Sequence, residues 1–241
     1  MTLQTVDRQS LPDRVFEQLT AEIVSGGYPV GSAIPSEREL SELLGVNRHV
    51  VREAVKRLEQ VGLVKGTQGG RTTVLDYRLT AGLDVLVLLA EHVRGVKPLL
   101  PLLVAALEMR AGIGADLVRL CAERGTPALR AELPAMAERI REAGSGEQLL
   151  ELDEAFWRVV LDGAGNIAYQ LAFNSLIRTV HARVELSLPW LEDELRRSGH
   201  RGPIAAAIAA GDAQAAELAA REALTPPKDL ASRVTRRKPR Q

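Results

Sequence analysis

A chain of 241 residues, 46% apolar and only 3% aromatic, has room for one or two packed cores and favours helix over sheet. Its 31 Lys and Arg balance its 31 Asp and Glu, and its single cysteine, Cys121, excludes an intrachain disulfide framework and fits a reducing cytoplasm. Residues 1–10 carry no apolar run, so no secretory signal is expected; the apolar stretch Leu83–Leu107 is interrupted by Glu91, His92, Arg94, Lys97, Pro98 and Pro101, which fits a helical core and not a membrane span.

The first predicted helix carries Leu11, Val15, Leu19 and Ile23 at intervals of four and stops at Gly26-Gly27. Pro29, Gly31 and Pro35 hold an extended link. Ser36 and Glu39 have capping-box spacing and open a short second helix to Leu44, and Gly45 supplies a tight turn. Asn47 caps a third helix whose inward stripe is Val51, Ala54, Val55, Leu58 and Val61, with Gly62 as its stop. Leu63-Val64 and Thr72-Thr73-Val74 read as short strands around Gly69-Gly70. Two helices on a tight turn followed by a hairpin make a winged helix-turn-helix.

Charge supports that reading. Between Val46 and Arg71 six cations stand against two carboxylates; residues 76–225 hold sixteen Lys and Arg against twenty-one Asp and Glu. A basic segment beside an acidic body suits a local phosphate-binding face, although a solvated helix face would look similar. Arg48 and Arg52 are four apart, on one face near the start of the third helix, where a major-groove reader meets base edges. An Arg fork matches guanine O6 and N7 with two parallel hydrogen bonds. The alternative for each is a surface ion pair, Arg48 with Glu53 or Arg52 with Glu59.

The run Pro35-Ser36-Glu37-Arg38-Glu39-Leu40, then Leu44-Gly45-Val46-Asn47-Arg48, Val51-Arg52-Glu53-Ala54-Val55-Lys56-Arg57-Leu58 and Gly62-Leu63-Val64 resembles the signature of the GntR family of transcriptional regulators. The resemblance implies that Arg38, Arg48 and Arg52 are the principal DNA-contacting arginines. It also implies that Asn47 and His49 flank them, that Gly69 enters the minor groove at the wing tip, and that a dimer binds a short palindrome of double-stranded DNA. At Gly70 some relatives carry a basic residue, so weaker wing contacts are expected.

From Thr80 onward no alternating strand pattern occurs. Helices are expected at 80–94, 98–124, 127–143, 147–163, 166–187, 190–210 and 212–224. Their breaks fall at Gly95, Gly125-Thr126, Gly144-Ser145-Gly146, Gly163-Ala164-Gly165, Pro189 and Gly211-Asp212. Gly112 and Gly114 are candidate bends inside the second of these. The fold class is therefore mainly α: a winged helix-turn-helix over 1–76 and an all-helical ligand-sensing and dimerising bundle over 77–225. A basic tail follows over 226–241, read as disordered or as a nonspecific DNA arm.

Leu107-Glu108-Met109-Arg110, Asp153-Glu154-Ala155-Phe156-Trp157, Gly165-Asn166 and the run from Ile204 to Asp212 resemble the FadR subfamily, whose C-terminal domain is of the FCD type. Many of its members hold a metal with an Asp, a His four residues on, a His before an I-x-x-x-I run and a His twenty-two beyond. Asp153 fits the first place, but the others are Trp157, Arg201 and Ala223, and His200 is one place out of register. No metal and no other cofactor is expected. His181 is expected in the core or on the surface. Phe156, Trp157, Val160, Phe173, Ile177 and Trp190 would line an apolar pocket or simply form bundle core. The effector-binding candidates are Arg110, Asp153, Trp157, Arg178 and Arg201, Arg110 or Arg178 taking an anionic head group. The resemblance implies a fatty acid or acyl-CoA as effector, with a small organic acid as the alternative.

An enzyme is not expected: there is no G-x-S-x-G and no phosphate loop, and Asp153 and Glu154, adjacent on a helix, diverge by about 100°. A sequence-independent structural DNA binder remains the other rival. The regulator is expected in the cytoplasm, without membrane attachment.

Overall fold

The computed structural model describes residues 10–67, 70–92, 96–144, 146–182, 192 and 201–226. The chain divides into two compact units, Met1–Arg94 and Gly95–Gln241. The basic tail expected over 226–241 lies almost wholly outside the described residues.

In the first unit, α1 (Leu11–Val24) starts on a Ser10–Asp13 capping box and buries Val15, Leu19, Thr20 and Ile23. Leu11, expected in that stripe, is the first residue of α1 and is 52% exposed. Hydrogen bonds from the Ser10 hydroxyl and then the Arg57 guanidinium hold the Asp13 carboxyl down at about 2. α2 (Glu37–Leu44) and α3 (Arg48–Gln60) follow, α3 packing on both α1 and α2. The buried stripe of α3 is Val50, Val51, Ala54, Val55 and Leu58; Val61 lies beyond the helix and is half-buried. Gly62 ends α3 at φ 76°, and a Cβ there would meet the Thr80 carbonyl oxygen at 2.7 Å. That close approach lets the Thr80 hydroxyl donate to the Gly62 carbonyl at 2.8 Å.

β1 (Val64–Lys65) and β2 (Thr73–Val74) pair antiparallel, Val64 opposite Val74. Thr73 also bridges Ala33, so the extended link before α2 adds a third edge to the wing. A single helix was expected over 80–94. Instead α4 (Tyr77–Thr80) and α5 (Val85–His92) are separated by a break containing Gly82. α5 packs on α1 within the first unit.

The second unit is a helical bundle: α6 (Val96–Arg124), α7 (Pro127–Glu142), α8 (Gly146–Ala164), α9 (Ile167–Ala182), α10 (Arg201–Ala210) and α11 (Ala213–Leu224). Its breaks follow local chemistry. Thr126 caps α7 by accepting from the Leu129 amide at 3.2 Å, with Pro127 in the first turn, where no amide hydrogen is needed. Gly211 at φ 73° closes α10, and Asp212 caps α11. α6 is central, packing against α8 and α11, while α10 packs on α7 and α11. Ala216, Ala220 and Ala223 are the buried face of α11, and such small side chains permit close approach to α6. The core holds Leu117, Val118, Leu133, Phe156, Val160, Ile204, Ile208 and Leu224, each 1% exposed or less and worth about 1.5–3 kcal/mol for a large apolar side chain.

Cys121 is fully buried there, and burial pushes its thiol up to about 11. A thiol reagent at pH 8 is expected to leave native Cys121 unmodified and to label it fully in denaturant. Rapid labelling of the folded chain would contradict this packing.

Candidate nucleic-acid interface and the core of the helical unit

The start of α3 is set by three local devices. Ser36 Oγ accepts from the Glu39 amide at 3.3 Å, and Glu39 Oε2 accepts from the Ser36 amide at 2.8 Å, which locks the entry to α2. The hydroxyl bond from Ser36, followed by the backbone one, lowers the Glu39 carboxyl pKa below the ordinary range. Gly45, at φ 64°, takes the left-handed turn between the helices. Asn47 Oδ1 then accepts from the Val50 amide at 3.0 Å and starts α3.

With Val51, Ala54, Val55 and Leu58 turned inward, Asn47, Arg48, His49 and Arg52 are left exposed on and beside the first turns of α3. Arg38 is exposed on α2, its Nη1 donating to Glu42 at 3.1 Å. Gly69, the expected wing-tip residue, lies outside the described residues. The local ion pairs named as the alternative, Arg48 with Glu53 and Arg52 with Glu59, are not formed among the described residues. Glu53 takes Lys56 at 3.3 Å, and Glu59 accepts from the Gly66 amide at 2.6 Å, tying β1 to the end of α3. Arg52 Nε donates instead to Glu37 Oε2 at 3.2 Å, across the helix turn. Among the described residues Arg48 makes no ion pair. Glu37 and Glu59 were missed as positioning groups because their partners lie on other elements.

An open cleft of about 1280 Å³ lies among α2, α3 and the wing, lined by Arg52, Lys56 and Arg71 and by Glu37, Glu39 and Glu59. The walls of this cleft thus carry both cations and carboxylates.

In the second unit, Asp153 and Trp157 are one turn apart on α8, and Arg201 opens α10. Arg201 Nε donates to Asp153 Oδ1 at 2.6 Å, and the guanidinium carbon lies 5.1 Å from the centre of the Trp157 ring. All three are buried: Arg201 is 1% exposed, Asp153 and Trp157 each 5%. Gly114 on α6 clears space beside them, since a Cβ there would fall 2.5 Å from Leu224 Cδ1 and 3.3 Å from Trp157. Within α6 it therefore serves packing.

The other candidates stand apart from this group or belong to the core. Phe156, Val160 and Phe173 are buried in the main apolar cluster with Ile177 against it, and Trp190 lies outside the described residues. Arg110 is half-buried. Arg178 is exposed, 3.4 Å from the Ser175 hydroxyl. His181 is exposed and pairs with Glu154 at 2.6 Å, so of its two expected places it takes the surface.

The metal that the FCD resemblance implies does not fit these residues. A divalent ion needs three or four N, O or S donors converging at about 2 Å. Here an indole ring and a guanidinium stand where imidazoles would, and the fourth place is Ala223, buried on α11. Neither group lends a lone pair to a metal. No cluster of three His, Cys, Asp or Glu exists among the described residues.

Residues 11–74 match the model of the gntR family of bacterial regulatory proteins, and residues 105–225 match the FCD domain. The chain belongs to the gntR family. It is 38% identical to the HTH-type transcriptional regulator Mce2R of Mycobacterium tuberculosis, over 93% of this chain and 92% of that one. It is also 32% identical to the fatty acid metabolism regulator protein of Serratia proteamaculans, over 66% and 65% of the two chains. Among solved structures, a regulator described as Lar, which controls the agr system of Listeria monocytogenes, matches with TM-score 0.57 and 15% identity, covering 97% and 100%. That likeness concerns fold alone. This gntR-family chain is a DNA-binding transcriptional regulator with an FCD domain, and not an enzyme. No helix among its described residues is long and apolar enough to cross a membrane.

Proposed function

We propose that this regulator acts in the cytoplasm as a homodimeric repressor on a short palindromic operator, which it releases when a fatty acid or acyl-CoA binds the helical unit. The observation that carries the DNA half is the start of α3: exposed Asn47, Arg48, His49 and Arg52 on an Asn-capped helix whose opposite face is fully buried. That is the placement a major-groove reader needs. With Arg38, and with Gly69 as the family resemblance implies, these residues form the DNA-contacting set.

The effector half draws on a relative named as a fatty acid metabolism regulator and on the apolar character of the bundle. Asp153, Trp157 and Arg201 are engaged with one another, so they would shape the floor of a site and not its mouth. Arg178, exposed, and Arg110, half-buried, can be reached by an anionic head group. A ligand releases DNA only by favouring the non-binding arrangement, and a tenfold loss of affinity needs about 1.4 kcal/mol of coupling. The test titrates long-chain acyl-CoA, free fatty acid and small organic acids against an operator complex followed by fluorescence anisotropy. Release by acyl ligands at micromolar concentration is the expected result. Release by a small organic acid alone would sink the lipid assignment and leave the repressor reading intact.

Dimerisation has its own consequence. Two half-site readers joined in one molecule gain by effective concentration, so the isolated fragment 1–94 is expected to bind operator on the order of 100-fold more weakly than the full chain. Sedimentation at micromolar concentration is expected to give a dimer. A monomer that still protects a two-fold symmetric footprint would contradict it.

A further inference from the structure

A permanently charged side chain that is 1% exposed in an apolar core needs a physical account, and Arg201 is the largest fully buried side chain of the described residues. Its surroundings are built for a cation. Asp153 Oδ1 lies 2.6 Å from Nε, and the Trp157 ring, with its electron-rich face, lies 5.1 Å away. The three side chains come from two helices, α8 and α10, and Gly114 on α6 makes room for the indole. Two of the four places where an FCD metal would find its ligands are thus occupied by a charge and by the ring that shelters it.

We propose that Arg201 is the resident cation of this bundle, tying α8 to α10 through Asp153 as a divalent ion would, so that the sensor unit is metal-independent. The exchange is chemically consistent. The Asp153 carboxylate is met by a guanidinium instead of by an ion of charge two that would need further donors. The guanidinium cannot deprotonate in the working range of a protein, and it repels any second cation that approaches Asp153. A metal held by imidazoles is released as those ligands protonate, whereas a guanidinium is not. Trp157 is the matching change: an imidazole there would add a neutral ligand and leave a gap, while the indole fills the gap and faces the charge. The inference stands whichever effector the unit binds, since its readouts are metal content and stability.

The experiment uses the full chain purified without chelator. Metal analysis is expected to find well under one ion per chain, and the thermal unfolding midpoint is expected to be the same with EDTA, zinc, nickel or manganese. Arg201→Lys, which keeps the charge but loses the fork, is expected to lower the midpoint by several degrees. Arg201→Met, which keeps the length but loses the charge, is expected to lower it further. Stoichiometric metal, a fall in midpoint on adding EDTA, or an Arg201→Met variant as stable as the parent would each overturn the proposal. If neither variant folds, metal content and chelator response of the parent chain still decide it.

Discussion

Arg48→Ala is expected to weaken binding to the cognate operator by about 1–3 kcal/mol, roughly 5- to 150-fold, while binding to unrelated DNA changes much less. Arg48 sits in the first turn of α3, exposed, with no ion pair among the described residues, so its fork has no internal partner to give up on meeting a base. Arg52→Ala is expected to cost less. Its Nε already donates to Glu37 at 3.2 Å, and an exposed pair of that kind is worth about 0.2–1 kcal/mol, which the DNA contact must replace or share. Arg48→Lys is not expected to rescue, because a single ammonium cannot make two parallel bonds to guanine. Competition between operator and scrambled duplex, repeated over a range of salt, separates the two contributions. A base contact changes the specificity ratio, whereas a phosphate contact lowers the salt slope by about one. If both alanine variants keep the parental ratio, α3 is not the reader.

Asp153→Ala is expected to destabilise the protein by about 3–5 kcal/mol, a large share of the 5–15 kcal/mol that holds a typical domain together. The loss exceeds that of the pair's own net attraction, because the Arg201 guanidinium stays buried after the carboxylate 2.6 Å from its Nε has gone. Asp153→Asn keeps an acceptor and should lose less. Replacing both partners at once, Asp153→Leu with Arg201→Met, is expected to be far milder than either charge deletion, since neither charge of the pair then remains buried. Urea unfolding followed by circular dichroism, with the double-mutant cycle completed, measures the coupling. An Asp153→Ala variant within about 1 kcal/mol of the parent would show that the pair is not buried as described.

What could be read from the amino-acid order alone was whatever local chemistry decides. The Ser36–Glu39 capping box, the Asn47 cap, the turn at Gly45 and the stops at Gly125 and Gly211 all involve groups within a few residues of one another. A four-residue period was enough to place Val51, Ala54, Val55 and Leu58 inward and so to leave Arg48 and Arg52 outward. The family signature was legible for the same reason, being concentrated in that short segment.

Tertiary structure decided where partners meet across elements. Local spacing suggested Arg52 with Glu59, but the turn between α2 and α3 brings Glu37 to Arg52, and the wing takes Glu59 through the Gly66 amide. Helical period could not show that the segment after Thr80 breaks before Val85, since that depends on how α5 settles on α1. Asp153, Trp157 and Arg201 were each singled out by position, yet their burial against one another was invisible: 48 residues separate the two charges. A long-range ion pair leaves no periodic trace in a sequence. It forms because a helical bundle, once closed, must match every charge it buries.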